Sequence, residues 1–261
     1  MRDSRCLVAH GSGSLTRPVV VSGGARLLHA GEFTSNGVKI HYVVEGQGEP
    51  VILVHGLNSS AKVNWVTPGT VTALAERYRV IAFDNRGHGQ SGRPEADDQY
   101  GVQMVEDVVR LMDHLQITKA SVAGYSLGGM IAMKLLALHP ERVSSAVLGG
   151  MGWLDADSPQ QHFWEVTTGR RHTTVPAACL RGMAKLAVTQ AEIKAVSVPV
   201  TIIVGELDPC RRLYVEPLLR VRPDWPEHVV QGAGHINCVT KPDFKTQLEA
   251  ALDSGGRRPA Q

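Results

Sequence analysis

The stretch Gly124-Tyr125-Ser126-Leu127-Gly128-Gly129 decides how this chain is read. It follows an apolar run, Ala120 to Ala123, and precedes a helical pattern, Met130 to Leu138. The order is strand, sharp turn, helix, with a serine at the apex. Gly-x-Ser-x-Gly in that frame is the signature of a nucleophile elbow. A serine at such a tip sits in strained backbone with its hydroxyl presented. The flanking residues crowd the turn, so Gly124 and Gly128 are expected because they carry no side chain. The helix that follows turns its unsatisfied N–H groups toward the serine, where negative charge is favoured. The blander alternative is a glycine-rich turn with an incidental serine.

Outward from the elbow, buried strands alternate with helices. Val38 to Val44 reads as a strand, Pro50 to Val54 and Arg79 to Phe83 as buried strands, and Val71 to Tyr78 as a helix. Met104 to Leu115 carries apolar residues at helical spacing. Val143 to Leu148, Val198 to Val204 and Glu227 to Val230 are further strands, and Phe244 to Leu252 is a closing amphipathic helix. This alternation predicts an α/β fold with a mostly parallel sheet covered on both faces. Ligands of such sheets sit beyond the carboxyl ends of the strands. The turns holding His55, Asp84, Ser126, Asp208 and His235 all fall there.

The expected organisation is a core of residues 32–149 and 197–253, interrupted by a small helical cap over 150–196. Residues 1–31 mix Gly, Ser and Arg and read as a poorly ordered extension. A transit peptide is the lesser alternative, since Arg2, Arg5, Arg17 and Arg26 outnumber Asp3. Residues 254–261 read as a disordered tail.

Composition narrows the classes. The 261 residues are 43% apolar and 20% charged, as in a globular protein with one large core. A net charge of +2 gives no reason to expect nucleic acid or an acidic membrane surface. No apolar run approaches the roughly 18 residues of a membrane span. Cys6, Cys179, Cys210 and Cys238 lack the close pairing of a zinc site or disulfide framework, so a reducing, cytoplasmic compartment is expected. Cys210 and Cys238 closely follow Asp208 and His235. They are expected in neighbouring loops as reduced thiols, with a disulfide as the alternative.

A serine hydroxyl needs a base, and the base needs an orienting acid. Among eleven histidines, His10 and His29 lie in the extension, and His41 and His228 lie in strands. His114 and His139 belong to helices or their ends, and His162 and His172 to the cap. His235, in Gly232-Ala233-Gly234-His235 after the last strand, returns to the elbow's end of the sheet and is the candidate base. Asp208, in Gly205-Glu206-Leu207-Asp208-Pro209, is the candidate acid, with Glu206 as runner-up. Asp208 simply ordering its own turn is the structural alternative. The backbone N–H groups of Leu127 and Leu57 are the candidate oxyanion donors. His55 and His88 read as structural.

These motifs together resemble the α/β-hydrolase superfamily. The matching residues are His55-Gly56, Asp84-Asn85-Arg86-Gly87-His88-Gly89-Gln90-Ser91, the elbow, Gly205-Glu206-Leu207-Asp208 and Gly234-His235. They extend over roughly Phe33 to Leu252. The resemblance implies an eight-stranded sheet, a Ser126–His235–Asp208 triad, and neither metal nor organic cofactor. The extension lies outside the family pattern. A serine at 126 excludes the dehalogenase and epoxide-hydrolase branches, which use aspartate there.

The expected activity is hydrolysis of small or medium carboxylic esters through an acyl-enzyme. The alternatives on the same residues are carbon–carbon bond hydrolysis, lactone hydrolysis, cofactor-free perhydrolysis, and small-molecule binding without turnover. Trp153, Phe163 and Trp164, with Met151 and Met183, are candidates to roof an acyl pocket, or else to hold the cap onto the sheet. Arg170 and Arg171 read as a solvated surface pair.

Overall fold

The computed structural model describes residues 28–153 and 174–256. Eight strands form one sheet in the order β1-β2-β4-β3-β5-β6-β7-β8. They are β1 His29–Ser35, β2 Val38–Glu45, β3 Glu49–Val54, β4 Tyr78–Phe83, β5 Ala120–Tyr125, β6 Val143–Gly149, β7 Val200–Gly205 and β8 Glu227–Val230. β1 and β2 form an antiparallel hairpin, and β2 pairs antiparallel with β4. From β4 to β8 every pairing is parallel. This is the mostly parallel sheet that the alternation predicts.

The side-chain alternation of the central strands divides the core in two. Ile52, Val54, Ile81, Phe83, Ile202 and Val204 face one layer. There they meet α2 (Val102–His114), α3 (Leu127–Leu138), α5 (Gln190–Ala195) and α6 (Glu216–Val221) through Val108, Leu135, Ile193 and Leu218. Val51, Leu53, Val80, Ala82 and Ile203 face the other layer. That side holds α1 (Thr70–Leu74) and α7 (Pro242–Gly256), through Leu74, Phe244 and Leu248. The central strands are buried on both faces, which is why they read as continuous apolar runs.

Several boundaries differ from expectation. β1 starts at His29, so His29 to Gly31 are strand and not extension. Helix α1 ends at Leu74, and Tyr78 opens β4, where it is half-buried. Helix α7 runs on through Ser254 to Gly256, the stretch expected to begin the tail. Phe163, Trp164, Arg170, Arg171, His162 and His172 lie outside the described residues, as do Cys6, His10 and the four extension arginines.

The described part of the expected cap holds α4 (Ala177–Gly182), a 3-10 turn Met183–Leu186 and α5. α4 packs beside Tyr100, so closely that a Cβ on Gly182 would lie 2.5 Å from the Tyr100 Cβ. The Arg181 guanidinium pairs with Asp97 at 2.5 Å, and Lys134 on α3 reaches Glu192 on α5 at 3.2 Å. No helix of the described residues is long and apolar enough to cross a membrane.

Candidate active site

The parallel strands end at one edge of the sheet, and the loops leaving β3, β4, β5, β7 and β8 meet there. Ser126 follows β5 directly, with φ 55° and ψ −114°. This is a conformation that side chains avoid, and tertiary contacts hold it. The Ser126 N–H donates to the Gly149 carbonyl at 2.7 Å. A Cβ on Gly124 would sit 2.0 Å from the Gly128 oxygen, and one on Gly128 would sit 2.0 Å from the Val54 oxygen. Both glycines are therefore required by close backbone approach, as the elbow reading expects.

Ser126, His235 and Asp208 lie in one hydrogen-bonded line. Ser126 Oγ is 2.9 Å from His235 Nε2, and His235 Nδ1 is 2.8 Å from Asp208 Oδ2. The other carboxylate oxygen of Asp208 accepts the Cys210 N–H at 2.8 Å. With an ionised Asp208 accepting, the imidazole carries its proton on Nδ1 and turns the Nε2 lone pair to the serine. Asp208 is buried, and the His235 side chain is 23% exposed, which leaves the imidazole open to the rim. Leu207 and Ile236, each adjacent to one of these residues, are exposed apolar side chains at that rim.

Two supports were invisible in the sequence. The Tyr125 hydroxyl donates to the His235 carbonyl at 2.6 Å. Glu206, the runner-up acid, is exposed and makes neither a hydrogen bond nor an ion pair with His235, which pairs with Asp208. The Glu206 carboxylate accepts the Gly232 N–H at 2.9 Å and so ties the β7 loop to the β8 loop. Both are bonds between side chain and distant backbone, for which a single sequence carries no periodic signal.

The loop after β3 runs beside the serine. A Cβ on Gly56 would lie 3.4 Å from the Ser126 Cβ. Asn64 Oδ1 accepts the Gly56 N–H at 2.9 Å, and Asn58 takes a positive φ of 55°. Leu57 is half-buried between them, and Leu127 is buried at the head of α3.

His55 and His88 sit beneath this loop as structural residues. His55 Nε2 accepts the Asn85 N–H at 3.0 Å, so its Nδ1 carries the proton that reaches the Gly56 carbonyl at 2.7 Å. Burial pulls its pKa down, against the opposing pull of the Gly56 bond and Asp84. His88 packs edge-on to His55 at 5.1 Å, and burial, with His55 second, lowers it to about 3. Asp84 feels burial pushing its pKa up. The His41 ring at 3.4 Å and the N–H groups of Gln90 and Ala61 outweigh that and hold it below the usual value. Asp84 thereby fastens the loops after β3 and β4 together.

The model of the family described as the alpha/beta hydrolase fold matches residues 49–178. The chain belongs to the α/β-hydrolase superfamily. Within that superfamily, the 2-hydroxymuconate semialdehyde hydrolase of Pseudomonas sp. strain CF600 is 38% identical over 122 residues, 46% of this chain and 42% of that protein. The 2-hydroxy-6-oxo-6-(2'-aminophenyl)hexa-2,4-dienoic acid hydrolase of Metapseudomonas resinovorans is 32% identical over 122 residues, 46% of this chain and 41% of that protein. The chain thus spans under half the length of these curated relatives. In structure, the enol-lactonase from Burkholderia xenovorans LB400 superposes with a TM-score of 0.67 at 23% identity, covering 85% of this chain and all of that one. That likeness concerns the fold alone.

Trp153 stands at the start of the expected cap. Its backbone N–H donates to Tyr214 O at 2.9 Å and its indole N–H to Val188 O at 2.8 Å. The first bond ties the stretch after β6 to the segment that follows β7, and the second ties it to the link between the 3-10 turn and α5. Met151 and Met183 are buried in the adjoining core. Cys179, Cys210 and Cys238 are buried free thiols, so Cys210 and Cys238 form no disulfide.

Proposed function

We propose that this protein is a serine hydrolase of carboxylic esters with small or medium acyl groups, working through an acyl-enzyme. The observation that carries the reading is the continuous line from Ser126 Oγ through His235 to Asp208, at 2.9 and 2.8 Å. In this reading His235 Nε2 takes the hydroxyl proton as Oγ attacks the ester carbonyl. Asp208 keeps the imidazole in the required tautomer and stabilises the imidazolium that forms. The N–H groups of Leu127 and Leu57 receive the oxyanion, each worth about 3 kcal/mol of barrier. The protonated His235 then hands its proton to the leaving alcohol. Water enters by the same base and releases the acid. The helices of 174–196 cap the site, and Trp153 anchors that cap.

A second reading is favoured by the relatives, two of which are named as hydrolases of 2-hydroxymuconate semialdehyde and of an aminophenyl dienoic acid. It is hydrolysis of a vinylogous diketone on the same three residues. The test runs p-nitrophenyl acetate and butyrate, a lactone and a vinylogous diketone on wild type and Ser126→Ala, alongside fluorophosphonate labelling. The ester reading expects labelling and ester turnover that both vanish in Ser126→Ala. Diketone turnover far above ester turnover favours the second reading. Tight small-molecule binding with neither labelling nor turnover would make the protein a binding module.

A further inference from the structure

Asp208, Cys210 and His235 bring a carboxylate oxygen, a thiol sulfur and an imidazole nitrogen within 4.8 Å of one another. A tetrahedral zinc ion holds such ligands about 3.5 Å apart. Closing the difference asks for side-chain movements on the order of 1 Å. The donor set is mixed and includes a thiol, which suits zinc or cadmium and not magnesium or calcium. The surroundings also resemble a supported metal shell. The second oxygen of Asp208 accepts the Cys210 N–H at 2.8 Å, and the Tyr125 hydroxyl grips the His235 backbone at 2.6 Å.

We propose that Asp208, Cys210 and His235 form an inhibitory site for a thiophilic divalent cation of the zinc and cadmium type. The cation is an inhibitor here and not a cofactor. On binding, the Cys210 thiol gives its proton to solvent, the His235 Nδ1 proton leaves to solvent as Nε2 takes one up, and sulfur, carboxylate and Nδ1 bond the metal, with water filling a fourth position. The dication balances one thiolate and one carboxylate, so the buried site becomes neutral. Burial and the Asp208 charge hold the free thiol protonated, and a bound dication reverses that preference.

The consequence for His235 follows from its two nitrogens. Nδ1, which faces Asp208, is the nitrogen offered to the metal. A neutral imidazole ligated there carries its single proton on Nε2. Nε2 then donates toward Ser126 where turnover requires it to accept. Metal occupancy and deprotonation of the serine exclude one another, even though all three residues remain in place. This inhibitory half rests on the ester-hydrolase reading, whereas metal binding does not.

The experiment titrates the reduced full chain with cadmium and follows the ultraviolet thiolate-to-metal band, then titrates ester turnover with zinc. The expected result is a saturable band at one cadmium per chain, lost in Cys210→Ser and kept in Cys238→Ser. Zinc should inhibit turnover reversibly by chelator. Relative to each protein's own metal-free rate, Cys210→Ser should need on the order of tenfold more zinc or beyond. Cys210→Ala serves if the serine variant folds poorly. A band unchanged in both Cys210 variants, or no band at all, overturns the proposal. So does equal zinc sensitivity of wild type and variants. If no ester is turned over, a Cys210-dependent band still upholds the metal site, and it is the hydrolase reading that fails.

Discussion

The Tyr125 hydroxyl and the His235 carbonyl are joined by a 2.6 Å hydrogen bond across 110 residues of sequence. The ring of Tyr125 also packs edge-on against Phe244 at 5.6 Å. The residue before the serine thus holds the backbone of the residue proposed as its base. Tyr125→Phe removes the bond and keeps the ring packing. We expect it to cost about 1 kcal/mol of stability and to lower kcat about fivefold with KM little changed. Denaturant unfolding and steady-state ester kinetics measure the two effects. An equal rise in KM would point to substrate contact and against positioning.

Ser126 holds a positive φ that its contacts with Gly149 and the crowded glycines enforce. Glycine adopts that conformation without strain. Ser126→Gly should therefore be more stable than Ser126→Ala by about 1 to 2 kcal/mol, while both lose ester turnover by at least about 1,000-fold. Matched urea curves decide it, and equal midpoints would mean the strain is absent.

Arg86 and Asp107 form a fully buried pair, bidentate at 2.7 Å for both bonds. Arg86 also donates to the Gln99 carbonyl at 2.7 Å. Removing one partner leaves an uncompensated charge in the core. Asp107→Ala should cost about 3 to 5 kcal/mol. Arg86→Met with Asp107→Leu should recover part of that loss, because no lone charge remains. Thermal unfolding of the two variants gives the comparison, and a double variant worse than the single would refute the account.

His88 is buried, and its pKa is about 3 in the fold against 6.5 for a free imidazole. Between those values the unfolded chain binds a proton that the native chain refuses. Stability then rises with pH across the window and is lost as pH falls below 6.5, by up to about 1.4 kcal/mol per pH unit for this one group. His88→Gln removes the titration, so its unfolding free energy should fall less steeply toward acid than that of wild type. Urea unfolding at a series of pH values reads the two slopes, and parallel slopes would contradict the assignment.

The sequence was most legible where a pattern is local and repeated. Pro50 to Val54 and Val198 to Val204 read as strands because the strands there are buried on both faces, although β7 itself opens only at Val200. The strand, sharp turn and helix around Ser126 were legible because the glycines of that turn answer to contacts as close as 2.0 Å. β1 was missed because an edge strand alternates weakly, and His29 to Ser35 gains its order from β2. The last turn of α7 was missed because Ser254-Gly255-Gly256 opposes helix by propensity, yet Gly255 packs so near Ser145 that an added Cβ would lie 2.6 Å from its Cβ. Glu206 competed with Asp208 because both are acids in one loop. Only the fold distinguishes the one that meets His235 from the one that fastens Gly232.

The central place of β5 has a bearing on when reactivity can arise. Its serine takes its N–H partner from the end of β6 and lies against the loop leaving β3, so both neighbours must already be docked. On the proposed reading, the alcohol at 126 becomes a nucleophile only once those neighbours hold it beside His235. Nascent protein still emerging from a ribosome, or a molecule opened by heat, would carry no premature chemistry to turn upon its surroundings.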